Sequence, residues 1–419
     1  MKRLTSLLLA LLMVISLANV AIAESDVRIV TLLSVDGSVN GIVDVFNSMN
    51  TDIKLESLLV TGGWGGFAQK LPGLIAADEA PGLAFCSANN VATYANQGFL
   101  RDITDLVNAE LNMDDFVEGV WDAQAINGRY YGVPYEIRVE QAWYDKDIFD
   151  AKGVAYPSSD WNEAWTTAEW SENLAKLVGT DADGNTTYGY TNQGNVWYYS
   201  QLQWLLPAYG LTSIFDEDGM PLWDSPECIA MMTDLIKMYN DGLIVPRDVV
   251  SANGYKTLAA NNQLAMYVGG TWNAADFKDM NISPMPNPGG SGNFWIDTWC
   301  LFEGFSDPDA AWEVAKWLCS KEYWDWKLDY DETCCLPIRA DSYEEAKVKL
   351  WKWMPEEDRA CLFQSVDFGV PSGSSPVMSA LNAGSKELLD QVLHGAYANA
   401  EEVCKAVQEY WISIIEDEI

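Results

Sequence analysis

The chain has 419 residues, of which 49% are hydrophobic and 21% are charged, and its formal net charge is −36. This composition is typical of a globular protein of two or three domains and excludes a disordered or fibrous chain. The excess of acidic residues argues against binding to nucleic acid or to an anionic membrane surface, because both would repel it.

The first 23 residues have the features of a secretory signal peptide. Lys2 and Arg3 form a positive segment, residues 7–17 are apolar, and Ala21-Ile22-Ala23 matches a small-residue cleavage site. The apolar stretch is too short to span a bilayer. We therefore expect cleavage before Glu24 and a protein that is soluble in the periplasm or outside the cell. No cysteine stands beside the cleavage site to carry a lipid anchor.

Metal-binding signals are weak. The chain has eight cysteines but no C-x-x-C, and His394 is its one histidine, so we expect no structural zinc site, and no cofactor. Residues 181–185 resemble the start of a calcium loop, yet the glycine is in the fourth position rather than the sixth. We interpret them as a hairpin turn. The pairing of the cysteines cannot be deduced from the sequence.

Alternating strands and helices are predicted in the first part of the mature chain. Apolar periodicity predicts strands at 27–33, 53–60 and 82–86, and helices at 41–49, 67–78 and 91–97. This order implies a largely parallel sheet covered by helices. A helix over 114–126, the turn Asn127-Gly128 and a strand over 129–136 follow.

The rest of the chain adds helices at 168–178 (capped by Thr167), 226–241 and 307–319, and strands at 264–268 and 296–302. Residues 283–292 hold three prolines and three glycines, which is typical of turns. From residue 342 onward we expect mostly helix. Two α/β lobes with crossings at 137–141, 293–300 and 334–340 are predicted.

Four segments carry a resemblance to a known family. They are FAQKLPGLIAADEAPGLAF, INGRYYGVPYEIRVEQAWYDKDIF, QLAMYVGGTWNAADF and SDPDAAWEVAKWLCSKEYW, in this order. The chain resembles extracellular solute-binding proteins of ABC importers, in the sugar-binding branch that includes maltose-binding protein. The resemblance implies a type II periplasmic-binding-protein-like α/β fold with two lobes, each a sheet flanked by helices, joined by a three-crossing hinge. We expect 24–137 with 298–335 to form the first lobe, and 138–297 with 336–419 to form the second.

A sugar has apolar faces that stack on aromatic rings and hydroxyl groups that hydrogen-bond to carboxylates, amides and arginine. On the family's pattern and on this chemistry, the predicted ligand-binding residues are Trp64, Asn89, Asn90, Glu136, Arg138, Trp197, Tyr198, Trp272, Trp295, Asp297 and Ser375.

Most of these residues have a structural alternative. Trp272, which follows a Gly-Gly turn, can stack on ligand or plug the base of the second lobe. Glu136 and Arg138 can grip hydroxyl groups or form an ion pair. Asn89 and Asn90 can contact ligand or cap a helix that begins at residue 91. Near Ser375, Val377 and Met378 stand where many members of the family have a tryptophan.

The resemblance implies a monomeric binding protein that captures a mono- or oligosaccharide in an interlobe cleft and delivers it to a membrane permease. One alternative keeps the fold but binds a polyamine or a peptide, since a fold does not dictate its ligand. Another is an exported glycoside hydrolase that would use two carboxylates from Glu136, Glu140 and Asp297.

Overall fold

The computed structural model describes residues 27–418 apart from 51, 181, 183, 193–201, 334, 372–374, 376, 393 and 394. The side chains of Asn89, Ser379 and Glu418 also lie outside this description. The described residues divide into two compact units. The first comprises the described parts of Met1–Phe85 with Leu301–Val314, and the second those of Cys86–Cys300 with Ala315–Ile419.

The first unit is built on parallel strands. Its elements are β1 (Arg28–Ser34), α1 (Val39–Met49), β2 (Ile53–Leu59), α2 (Gly63–Ala76) and β3 (Leu83–Cys86). Strand β1 pairs in parallel with both β2 and β3. Each of these elements lies within a few residues of its predicted position, because the apolar residues that set the periodicity, such as Val30 and Leu32, are fully buried.

The second unit contains a mixed sheet in which the order of strands is β9-β4-β7-β6-β5. Strand β4 is the longest, with 14 residues. It pairs antiparallel with β9 over its first part and with β7 and β8 over its second part. The strands are β4 (Gly132–Asp145), β5 (Gly179–Thr180), β6 (Thr186–Asn192), β7 (Leu264–Gly270), β8 (Ile282–Met285), β9 (Gly292–Leu301) and β10 (Gly369–Pro371).

Helices flank this sheet, and several begin at the residues that their sequence signals indicate. Thr166 caps its helix one residue earlier than predicted, and Ser225 caps a helix with proline at its first position. The remaining helices of the described residues, of which α11 is shared between the two units, are α3 (Ala88–Asn96), α4 (Thr104–Glu110), α5 (Val120–Gln124), α6 (Lys146–Lys152), α7 (Thr167–Leu177), α8 (Pro226–Asn240), α9 (Arg247–Asn253), α10 (Tyr255–Ala260), α11 (Pro308–Leu318), α12 (Lys321–Tyr330), α13 (Tyr343–Lys349), α14 (Glu356–Gln364), α15 (Met378–Val392) and α16 (Ala400–Glu418).

The helix predicted over 114–126 is wrong. Only a 3-10 turn at Met113–Asp115 and the short α5 form there. Phe116 makes an antiparallel bridge with Arg339, and the backbone N–H of Val117 donates to Ile338 O at 2.9 Å. This pairing holds residues 116 and 117 in an extended conformation, so a contact distant in sequence overrides the local helix preference.

The turn-rich tract 283–292 also contains a strand that the sequence did not indicate. Its first residues belong to β8, which pairs with β4 although Pro284 stands inside it. Proline removes one ladder hydrogen bond, and an edge position tolerates that loss. Strands β5 and β6 pair antiparallel on either side of the predicted hairpin turn at 181–185, of which residues 181 and 183 lie outside the described residues. The seven described cysteines are all free and buried.

Candidate functional site

Strands β4 and β9 bring four of the predicted residues together in the second unit. In their antiparallel register Glu136 lies opposite Asp297, and Arg138 lies opposite Trp295. Residues paired in this way project their side chains from the same face of a sheet, and residues two apart along a strand share that face. The face of β4 that carries Glu136 and Arg138 is therefore also the face of β9 that carries Trp295 and Asp297.

Charged groups on this face form a buried network. Arg138 Nη2 lies 2.7 Å from Glu136 Oε2, and Arg138 Nε lies 2.7 Å from Asp297 Oδ2. The Lys327 ammonium group of α12 lies 2.5 Å from Glu136 Oε1 and donates to Tyr135 Oη at 2.6 Å. We call Glu136, Arg138, Asp297 and Lys327 the charge cluster. Its two cations balance its two carboxylates. The ion pair between Glu136 and Arg138 is present, and a contact of either residue with ligand stays a prediction.

The two carboxyl groups of the charge cluster respond differently to burial. Burial would raise the pKa of Glu136, but the nearby charges of Lys327 and Arg138 outweigh it and hold that pKa below its usual range. Burial also raises the pKa of Asp297, and there Arg138 offsets it only in part, so the pKa is about 6. Because Glu136 has two cationic partners and Asp297 has one, Glu136 is the more firmly ionised.

Two half-buried tryptophans lie next to Arg138 of the charge cluster. The ring centroids of Trp272 and Trp295 are 5.2 Å apart, and the Arg138 guanidinium carbon lies 5.8 Å from the Trp272 ring. We call them the tryptophan pair. Gly270 makes this arrangement possible, since a Cβ there would stand 2.0 Å from Cζ3 of Trp272. Asn273 fixes the turn by accepting a hydrogen bond from Gly270 N at 2.9 Å.

A cavity of about 400 Å³ lies beside Trp295, within the second unit. Its polar lining includes Asp122 and Gln124, and the buried Gln124 amide oxygen accepts a hydrogen bond from Thr298 Oγ1 at 3.0 Å. The lining residues are Ala88, Val91, Gly119, Asp122, Ala123, Gln124, Ala125, Ile126, Phe294, Trp295, Ile296 and Pro371. This volume falls in the range of small-molecule sites, and the mostly apolar wall with a few polar groups is typical of them.

The other predicted residues belong neither to the charge cluster nor to the tryptophan pair, and some lie outside the described residues. Trp64 belongs to the first unit, where it is 39% exposed and its ring packs 5.7 Å from that of Phe67. Asn90 is half-buried in the first turn of α3, which begins at Ala88 rather than at residue 91. The helix-capping position belongs to Ser87, so the capping alternative for Asn89 and Asn90 is wrong.

Ser375 is buried, and its hydroxyl oxygen accepts a hydrogen bond from Val377 N at 3.4 Å. It therefore supports the chain just before α15. Trp197 and Tyr198 lie outside the described residues, and so does the side chain of Asn89. A ligand contact by any of these residues stays a prediction.

Sequence reasoning missed Lys327. The signal was present, because this lysine stands on the buried face of α12 together with Tyr323 and Trp324, both fully buried. A lysine on an apolar helix face needs a buried anionic partner. The sequence could not identify that partner, since Glu136 is 191 residues away along the chain.

The described residues contain no group of three or more His, Cys, Asp or Glu side chains placed to hold a metal ion. Within the same part of the chain, every helix is too short or too polar to cross a bilayer.

Solved structures with the same fold are solute-binding proteins. An ABC substrate-binding protein from Listeria monocytogenes, in complex with cycloalternan, superposes with a TM-score of 0.82 at 22% identity, over 93% of this chain and 100% of that one. A maltose-bound protein from T. maritima has a TM-score of 0.73 at 18% identity, over 92% and 100%. The fold is therefore that of type II periplasmic-binding-protein-like proteins, as predicted.

Sequence comparison identifies the family. Residues 41–356 match the bacterial extracellular solute-binding proteins, and the chain belongs to this family. A binding protein of Brucella abortus is 24% identical over 319 residues, which is 72% of each chain. The mannitol-binding protein of Pseudomonas aeruginosa is 23% identical over 278 residues, 61% of this chain and 60% of that protein. These relatives are named as binding proteins rather than as enzymes.

Proposed function

We propose that this chain is the extracytoplasmic substrate-binding protein of an ABC importer, and that it captures a neutral carbohydrate and delivers it to a membrane permease. The observation that carries this proposal is the tryptophan pair beside the charge cluster. Half-buried indole rings offer apolar surface for a sugar face, while a fixed guanidinium and carboxylates offer donors and acceptors for hydroxyl groups. Relatives named for binding cycloalternan, maltose and mannitol support the ligand class.

The charge cluster supports binding rather than hydrolysis. A glycoside hydrolase needs two carboxyl groups on either side of a scissile bond, one of them free to transfer a proton. Here Glu136 and Asp297 both lie against the same guanidinium, that of Arg138. Such pairing fixes the orientation of Arg138 and suits a rigid binding surface.

Thermal unfolding of the mature protein with a panel of candidate ligands tests the proposal. The panel is glucose, maltose, maltotriose and mannitol, with spermidine and a tripeptide as representatives of the other ligand classes. A ligand at 100 times its Kd stabilises the native state by about 2.7 kcal/mol. We expect stabilisation by at least one saccharide or polyol.

Two tryptophan variants make this test specific. Trp272→Ala removes half of the tryptophan pair, and we expect it to abolish the stabilisation by ligand. Trp326→Ala is the matched control, because this ring is also half-buried but stacks on Tyr330 of α12, with centroids 4.7 Å apart. Stabilisation by spermidine or the tripeptide alone would contradict a carbohydrate ligand, and release of sugar from maltotriose would contradict a binding protein.

A further inference from the structure

A third acidic residue lies on the same face of β4 as the charge cluster. Glu140 follows Arg138 by two residues, and it pairs with Gly270 of β7. Its side chain is 5% exposed. Alternation along the strand places Glu136, Arg138 and Glu140 in one row.

Trp272 of the tryptophan pair lies beside Glu140. In an antiparallel sheet the side chain opposite Glu140 would belong to Gly270, about 5 Å away between Cβ atoms. Gly270 has no side chain, and the six-membered ring of Trp272 occupies that position, as shown by the 2.0–2.3 Å separations between a Gly270 Cβ and ring carbons of Trp272. The Glu140 side chain therefore stands next to the indole that we expect to stack on ligand.

In the part of the chain that the structure describes, Glu140 has no cationic partner to explain its burial. Its Oε2 atom is inaccessible and makes no hydrogen bond, and no basic residue of the described chain forms an ion pair with it. Arg138 is the nearest cation along the strand and is bound by two other carboxylates. The buried Tyr190 phenol is close enough to interact with Glu140. Burial raises the pKa of this phenol, and the charge of Glu140 adds to that rise.

A buried carboxyl group without a cation is more stable in its neutral form. Burial raises the pKa of Glu140 well above its usual range. In this form the group has one O–H donor and a carbonyl acceptor, like a carboxamide. A sugar hydroxyl group can both accept from it and donate to it, whereas an ammonium group would require the ionised carboxylate.

We propose that Glu140 is a specificity-determining residue of the ligand site and that it binds a hydroxyl group of the ligand as an uncharged carboxyl group. The inference rests on the proposed function and adds a residue to its ligand site. It also explains why an acidic residue without a cationic partner among the described residues is placed beside Trp272.

Two substitutions at this position test the proposal. Glu140→Gln keeps a donor and an acceptor in nearly the same shape, and Glu140→Met keeps the volume but removes both. We expect Glu140→Gln to bind a saccharide of the panel within about threefold of the wild-type affinity. Glu140→Met should lose about tenfold or more, because one hydrogen bond of the ligand would be unmade. Titration calorimetry with glucose, maltose, maltotriose and mannitol measures both.

Stability without ligand separates ligand binding from a structural role. Replacing an unpartnered buried carboxyl group by an apolar side chain removes a desolvation cost, so Glu140→Met should unfold at or above the wild-type temperature. A lower midpoint together with unchanged affinity would overturn the proposal, as would equal affinity in all three proteins. Equal losses in Glu140→Gln and Glu140→Met would also overturn it, because they would mean that the ionised form binds. If no panel saccharide binds the wild type, the proposed function itself fails.

Discussion

Substitution of Lys327 tests how much the charge cluster contributes to stability, because it removes one of the two positive charges of the cluster. Lys327→Met keeps the apolar stem of the side chain and removes the ammonium group. Arg138 is then the one cation that pairs with Glu136, and it also pairs with Asp297. One cation would face two buried carboxylates.

The expected cost follows from the geometry. At 2.5 Å, two unit charges attract by about 7 kcal/mol at an effective dielectric constant of 20. Desolvation of each ion offsets several kcal/mol of this attraction. Breaking a buried ion pair by removing one partner costs about 3–5 kcal/mol, and both side chains here are only 7% exposed. We expect Lys327→Met to lower the free energy of unfolding by this amount in urea denaturation.

A second substitution should restore part of the loss. In the double variant Lys327→Met with Glu136→Gln, one cation again faces one carboxylate, that of Asp297. The double variant should therefore be more stable than Lys327→Met alone. The reasoning would be refuted by a cost below about 1 kcal/mol for the single variant, or by a double variant that is the less stable of the two.

The pH dependence has a defined sign. The pKa of Glu136 is lowered in the folded protein, so its contribution to stability is present above its ordinary pKa and is lost as the pH falls through the folded value. In Lys327→Met the uncompensated carboxylate can be relieved by protonation. The difference in stability between wild type and variant should therefore shrink as the pH falls from 7 toward 4.

Three further predictions concern residues of the second unit, and the first of them uses a glycine of α2 as its control. Gly270→Ala should displace the Trp272 ring and weaken saccharide binding by about tenfold, whereas Gly73→Ala, where no heavy atom lies within 4 Å of the added Cβ, should leave it unchanged in the same calorimetric titration. The pKa of Asp297 is raised to about 6 on folding, so its contribution to stability is lost as the pH rises from about 4 to 6. Asp297→Asn should accordingly gain up to about 3 kcal/mol relative to wild type across that interval in urea denaturation. Thr166→Ala removes a helix cap and should cost about 1 kcal/mol in the same assay.

The fold was predictable where sequence pattern and tertiary contacts agree. The strands and helices of the first unit lie within a few residues of their predicted positions, because each buries its own periodic apolar face. The region 114–126 was not predictable, since its backbone pairs with Ile338 and Arg339, more than 200 residues later. No local pattern contains that information.

The candidate site was predictable in part for a similar reason. Glu136, Arg138, Trp272, Trp295 and Asp297 were named from local patterns and a resemblance, and the structure brings them together. Lys327 could not be paired with Glu136 from local sequence. The high tryptophan content of the chain did not indicate which rings belong to the candidate site. Many of these rings belong to the core, and those fully buried among the described residues are Trp143, Trp161, Trp170, Trp204, Trp223, Trp299, Trp324, Trp351 and Trp411.

Side chains alternate along β4 between a face with charged residues and a face packed in the core. Glu136, Arg138 and Glu140 occupy one face, while Ile137 and Val139 on the other are at most 1% exposed. Under the proposed function, substitution at every second residue would change ligand preference and leave the packing of Ile137 and Val139 in place. Loss or gain of a single residue has the opposite effect, because it exchanges the two faces over the rest of the strand. On this reasoning, a point substitution on the Glu136 face would alter the proposed ligand site alone, whereas an insertion or deletion within β4 would alter both the site and the core.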